Sequence, residues 1–259
     1  MPPEKLLGLA IPVIFFIALS VESRYAARQF ENVHRWRRTG LLFFAMVLIV
    51  GSLAPLLLPL DWLKAHAILD LSALGLWGIP IGLLVTSFFA YWLHRAEHRF
   101  DWLWRAAHQL HHSTQRVDLA GAYYTHPVEV LMKVMLGTTV SIYLLGLTPM
   151  AASAVALSSA LLSMWQHWNI HTPHWIGYII PRPESHVLHH ARNNQAHNYG
   201  DLPVWDMLFG TFENPGTPWT GTVGFDTPRN TRIRDMLLMR DVNKHSQTHA
   251  LVTADQTSF

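Results

Sequence analysis

The sequence predicts an all-helical membrane bundle of four to five hydrophobic helices, with a cytosolic histidine-rich helical cap holding a two-metal site. Three observations predict it. Half of the 259 residues are hydrophobic and only 14% are charged, against about a quarter charged in soluble domains. Uncharged runs long enough to cross a bilayer recur along the chain. Thirteen of the 17 histidines fall between His94 and His197. With 11 Trp, 12 Phe and 7 Tyr, the chain has too much apolar surface to remain disordered. The lack of cysteine excludes disulfide scaffolds, thiolate metal sites and thiol nucleophiles. A formal net charge of +2 gives no ground for a nucleic-acid partner. The length suits a single membrane-embedded domain over residues 1–259.

The runs can be taken in order. Leu6 to Val21 is sixteen uncharged residues containing Pro12. Acidic Glu4 before it and arginines after it favour a retained anchor over a cleaved signal peptide. Leu41–Leu60 and Leu71–Leu93 hold twenty and twenty-three residues without a charge, and either can cross about 30 Å of hydrocarbon as a helix. From Val134 to Pro181 there is no Asp, Glu, Lys or Arg. Gly146 and Pro149 break that stretch into a helical hairpin over about residues 130–166. Its two arms are at the short end for a span.

Topology follows from the first loop. Arg24, Arg28, Arg35, Arg37 and Arg38 outnumber Glu22 and Glu31 there, and the positive-inside rule places that loop in the cytoplasm. Counting spans forward brings every histidine-rich segment to the same face. The membrane is an inner membrane in a bacterium and the endoplasmic reticulum in a eukaryote. Trp62, Trp77, Trp92, Trp102, Trp104, Trp165, Trp168 and Trp175 cluster near the ends of the runs, as interfacial tryptophans do.

The histidines form four boxes. His94 and His98 are spaced i, i+4, and so are His167 and His171. His108, His111 and His112 are spaced i, i+3, i+4, a pattern that His186, His189 and His190 repeat. On helices each box presents one face. Buried imidazoles without partners cost free energy, and a divalent Fe, Zn, Cu or Ni ion supplies the partner that neutral imidazole favours. Ten nitrogens exceed the four of a structural zinc site and suit two metals with about five each.

These boxes resemble those of the membrane fatty acid hydroxylase / sterol desaturase superfamily. Thr125-His126-Pro127-Val128-Glu129 is similar to that group's HPxE segment. His197-Asn198-Tyr199-Gly200 and Trp205-Asp206 through Phe209-Gly210-Thr211 are similar to its NYG…WDxLFGT ending. The resemblance covers roughly residues 85–212. It implies two iron ions, with zinc able to substitute after overexpression. It also implies that His94, His98, His108, His111, His112, His167, His171, His186, His189 and His190 are the ligands. His126, Glu129, His197, Asp118 and Asp201 are candidates to orient those ligands. His174, His34, His66, His245 and His249 receive no role. Residues 213–259 read as a peripheral tail.

Two ferrous ions can share the reduction of O2 and so attack an unactivated C–H bond, giving an alcohol or an alkene. The expected substrate is a membrane lipid such as an acyl chain or sterol. Two electrons per turnover must come from an external donor of the ferredoxin or cytochrome b5 type. The alternative is a membrane metal transporter or metal-binding protein without oxidative activity. Transport sites lie near the midplane on broken helices, whereas these histidines fall at the ends of the runs.

Overall fold

A computed structural model describes residues 7–192, 194–227 and 229–242. His245 and His249 lie outside the described residues. The described chain is helical, with one isolated bridge between Ala191 and Val223 and no strand. Five apolar helices dominate: α1 (Ala10–Tyr25), α2 (Trp36–Leu53), α4 (Gly78–Arg99), α7 (Pro127–Thr138) and α8 (Pro149–Gln166). The short α3 (Leu60–Ala65) follows α2. Box two lies on a segment made of α5 (Asp101–Leu103), a π-turn (Trp104–His108) and α6 (Gln109–His112). The cap is completed by α9 (Pro183–His189), α10 (Pro203–Phe209) and α11 (Ile233–Leu237).

Three helical stretches, Trp36–Leu57, Ser72–Arg99 and Pro127–Leu144, are long and apolar enough to cross a membrane. The hairpin α7–α8 runs as deep as α4. Its tip bonds to the loop before α4, with the amides of Ile68, Leu69 and Leu71 donating to Tyr143, Leu144 and Leu145. Gly78 and Gly82 of α4 let Leu147 and Val155 approach so closely that a Cβ at Gly82 would meet Val155 Cγ2 at 2.6 Å. Gly146 turns the tip at φ +57°, a conformation that suits glycine.

At the other end α1 and α2 flank the cap. Phe15 stacks on Phe44 at 4.1 Å, and Trp36 on Tyr124 at 4.5 Å. The arginine-bearing loop between these helices lies against the cap, since Arg28 donates to the carbonyls of Trp219, Thr220 and Gly221. The basic loop and the histidines therefore share one side, as counting the spans requires. The tail departs from expectation. Met236 and Val242 are wholly buried, and Gln109 Nε2 donates to Arg240 O at 2.8 Å. Phe225, Met236 and Val242 thus belong to the cap core.

Candidate metal centre

Box one sits on the last two turns of α4, where the i, i+4 spacing turns His94 and His98 to the same face. The π-turn places His108, and α6 carries His111 and His112. A π-turn inserts an extra residue into the helical register. His108 and His112 then point into one group of imidazoles, and His111 into another. α9 carries His186 and His189, with His190 as its C-cap. The start of α9 is fixed by a buried ion pair, Arg182 to Glu184 at 3.1 Å. Arg182 also bonds Thr172, Asn214 and the Pro215 carbonyl, so neither charge is left without partners.

Nine of the ten boxed imidazoles converge. His94, His98, His108, His112 and His189 bring ligand nitrogens within 4.8 Å of one another, and so do His111, His167, His186 and His190. The two groups share a wall where His112 stacks on His190 at 4.4 Å. The even division into five and five becomes five and four.

Hydrogen bonding explains why these rings fit a metal. His94 gives its Nδ1–H to the Tyr199 carbonyl at 2.7 Å, and His108 Nδ1 donates to Glu129 Oε1 at 3.1 Å. Those acceptors assign the proton to Nδ1 and leave a lone pair on Nε2. Yet the two Nε2 atoms face each other at 2.9 Å. The second group repeats this. His167 donates to Ser163 O and His111 to Tyr124 O, while their Nε2 atoms are 3.2 Å apart. His189 donates to His197 O at 2.6 Å, and its buried Nε2 has no partner among the described residues, nor does that of His98. Facing lone pairs repel, and a cation between them makes them ligands. Nitrogens about 2.0–2.1 Å from a metal and about 90° apart lie about 2.9 Å from each other, which is the spacing found.

Loss of hydration keeps the rings neutral. Burial holds His111 and His189 down to about 3 and His167 down to about 4. His108, His112, His186 and His190 are also pushed well below the usual histidine range by burial, then by their neighbouring imidazoles. Neutral imidazole is the form that binds metal.

His171 stands apart, exposed and outside both groups. The helix carrying His167 ends at Gln166, with His167 as its C-cap. Asn169 is then drawn toward the first loop: its amide donates to Glu22, and its side chain exchanges two bonds with the Arg28 backbone. A four-residue spacing outside a helix does not align side chains, so the pair His167/His171 is broken.

The candidates for orienting ligands also separate. Glu129 holds His108, and its own charge is met by Lys133 Nζ at 2.5 Å and Thr125 Oγ1 at 2.6 Å. His197 acts through its backbone carbonyl on His189, while its ring lies 3.4 Å from Glu213. His126 instead caps α7, accepting from Val128 N and donating to Leu237 O. Asp118 is buried, but it takes hydrogen bonds from Trp36, Arg116 and Gly121 rather than from a ligand. Asp201 accepts from Gln166 and makes no hydrogen bond to an imidazole among the described residues. His174 is exposed and bonds Asn214.

The sequence reading gave no site role to four residues that adjoin the imidazoles or secure one that does: Glu97, Tyr199, Asp206 and Trp104. Glu97, between the box-one histidines, is wholly buried and lies 3.6 Å from His108 Nδ1, beside Glu129. The only signal available for it was a charge one residue from a ligand position. Tyr199 packs its ring 5.3–5.5 Å from His94, His98 and His189. Asp206 secures that residue by accepting from the amides of Tyr199 and Gly200. Trp104 covers His98 and His112 at 5.3 and 5.4 Å.

Comparison with known proteins identifies the family. The chain is 31% identical over 150 residues to the ornithine lipid hydroxylase of Rhizobium tropici, covering 56% of this chain and 45% of that one. It is 32% identical over 145 residues to human alkylglycerol monooxygenase, covering 53% and 31%. Against sphinganine C4-monooxygenase 1 of Arabidopsis thaliana it is 24% identical over 134 residues, covering 50% and 52%. The chain thus spans about half or less of the length of these relatives. No solved structure matches. The model of the fatty acid hydroxylase family matches residues 79–211, from α4 to just past α10, and the chain belongs to that family.

Proposed function

We propose that this chain is an O2-dependent di-iron membrane oxidoreductase that hydroxylates or desaturates an unactivated C–H position of a lipid. The observation carrying the proposal is the pair of adjacent imidazole groups, with Nε2 lone pairs aimed at common points. His94, His98, His108, His112 and His189 would hold one metal, and His111, His167, His186 and His190 the other. Two ferrous ions bound there supply the electrons to reduce O2 by two and an oxidant strong enough to take hydrogen from an alkyl chain.

The protein's own groups do the rest. The carbonyls of Tyr199, Tyr124, Ser163 and His197 and the Glu129 carboxylate fix ring orientation and tautomer. Such partners raise the basicity of ligand imidazoles. Tyr199 and Trp104 exclude water on the five-imidazole side. The four-imidazole group offers one nitrogen fewer, so a metal held there would keep a coordination position for O2. The basic first loop supports a cytoplasmic cap, where a ferredoxin or cytochrome b5 type protein would deliver electrons. The relatives are named for ornithine lipid, alkylglycerol and sphinganine, and a lipid bearing a polar head fits that range. Nothing in the geometry favours transport, since the imidazoles lie at helix ends rather than at the midplane.

The test is lipid mass spectrometry of cells expressing the chain or its His186→Ala variant. We expect one lipid class to gain one oxygen, or lose two hydrogens, only with the intact chain. Identical profiles despite a metal-loaded protein would overturn the proposal.

A further inference from the structure

The outer faces of α10 and of the 3-10 turn His174–Tyr178 are apolar and unpartnered. Along α10, Val204, Met207 and Leu208 project outward at i, i+3 and i+4, with Leu208 66% exposed. The 3-10 turn, which packs against α10, and the residue after it add Trp175 and Ile179, each 62% exposed. A surface of this kind on a cap bathed in water would be an association site or a liability.

Its depth resolves the matter. Trp205, on the inner face of α10, donates its indole N–H to Ser87 Oγ at 2.9 Å, and its ring lies 4.9 Å from Phe88. Phe209 packs 4.9 Å from Trp92. Ser87 precedes His94 by seven residues of α4, or about 10 Å along the helix axis. α10 therefore lies beside the apolar part of α4, below the level of the metal centre. Leu84, Phe89 and Trp92 of the same span are exposed as well.

We propose that α10 and the His174–Tyr178 turn are seated in the bilayer leaflet on the cap side, with lipid rather than protein as their occupant. The inference rests on α4 crossing the membrane. Short amphipathic helices bury an apolar face by about 5–10 Å at such a boundary, and Trp175 and Tyr178 are the side chains that favour it. The seating also places lipid close to the chemistry. Phe209 stacks on Tyr91 at 5.4 Å, Tyr91 meets Tyr199 at 6.2 Å, and Tyr199 meets His94 at 5.4 Å. α10 is thus the wall between the leaflet and the five-imidazole group, three ring contacts thick.

Because the chain has no cysteine, single nitroxide labels can be placed cleanly. Leu208→Cys and Ile179→Cys would be compared in phosphatidylcholine proteoliposomes with Ile49→Cys on the exposed face of α2 and Ala196→Cys in the cap. We expect the labels at 208 and 179 to collide with oxygen more than with a water-soluble nickel chelate, as the label at 49 does. A nickel preference like that at 196 would overturn the proposal. Low access to both quenchers would overturn it in favour of a second protein copy. A nickel preference at 49 itself would remove the span reading, and the proposal with it.

Discussion

Replacing His108 with alanine is expected to reduce product formation to background and to lower the metal content of the purified protein, while membrane insertion is unaffected. His108 Nε2 lies 2.9 Å from that of His94 and 3.0 Å from that of His112, so it is central to its group. No neighbouring ring can fill the vacated position, because each is fixed by its own helix, and His94 and His189 also by outward hydrogen bonds. Insertion depends on the apolar helices, which the substitution leaves intact. His186→Ala should behave alike in the four-imidazole group, where Nε2 of His186 lies 3.1 Å from those of both His167 and His190. His171→Ala should leave both metal content and turnover unchanged. Activity and metal loading are the paired measurements, and a His171 variant as damaged as the His108 variant would show that His171 is a metal ligand.

The second large effect is expected at Glu129. Glu129→Gln keeps the shape of the side chain but removes the charge that His108 Nδ1–H and the Lys133 ammonium both face. Loss of an orienting partner of a metal-bound histidine costs about 10–100-fold in metal affinity or activity. Metal affinity should fall within that range, measured by competition with a chelator. The loss should be greater than for His126→Ala, which removes a helix cap worth about 1 kcal/mol of stability but touches no ligand. Equal metal affinity in Glu129→Gln and the parent would refute the orienting role.

Much of this site was legible in the sequence, for a definite reason. Boxes one, two and four lie on helical turns, so the i, i+4 pairs His94/His98, His108/His112 and His186/His190 each share a face, while the i+3 members His111 and His189 join the opposite group. Box three failed because the helix ends at His167, and what ends it is a contact with Glu22 and Arg28, more than 140 residues away. No local pattern encodes such a tether. The same holds for the acceptors that fix the rings, most of which are backbone carbonyls and carry no residue identity. His126 looked like a site residue because of its motif, but its ring is engaged by the helix start and by Leu237. The tail looked peripheral because its apolar residues are few. Two of them, Met236 and Val242, are nevertheless fully buried.

The long apolar runs were also legible, because crossing a bilayer needs only length and composition. That the basic loop and the imidazoles lie on one side was reached by counting, and the Arg28 bonds to the cap agree with it. The position of α10 was not legible. Its seven residues are too few for periodicity to speak, and its depth is set by contacts of Trp205 and Phe209 with the distant α4.

Metal stoichiometry tests the central claim most directly. Protein purified from iron-replete cells should hold two metal ions per chain by elemental analysis, with nitrogen neighbours at about 2.0–2.2 Å by X-ray absorption, the range of other imidazole sites. Zinc in place of iron after overexpression would leave those distances and the count intact. Fewer than one ion per chain under these conditions would contradict the account.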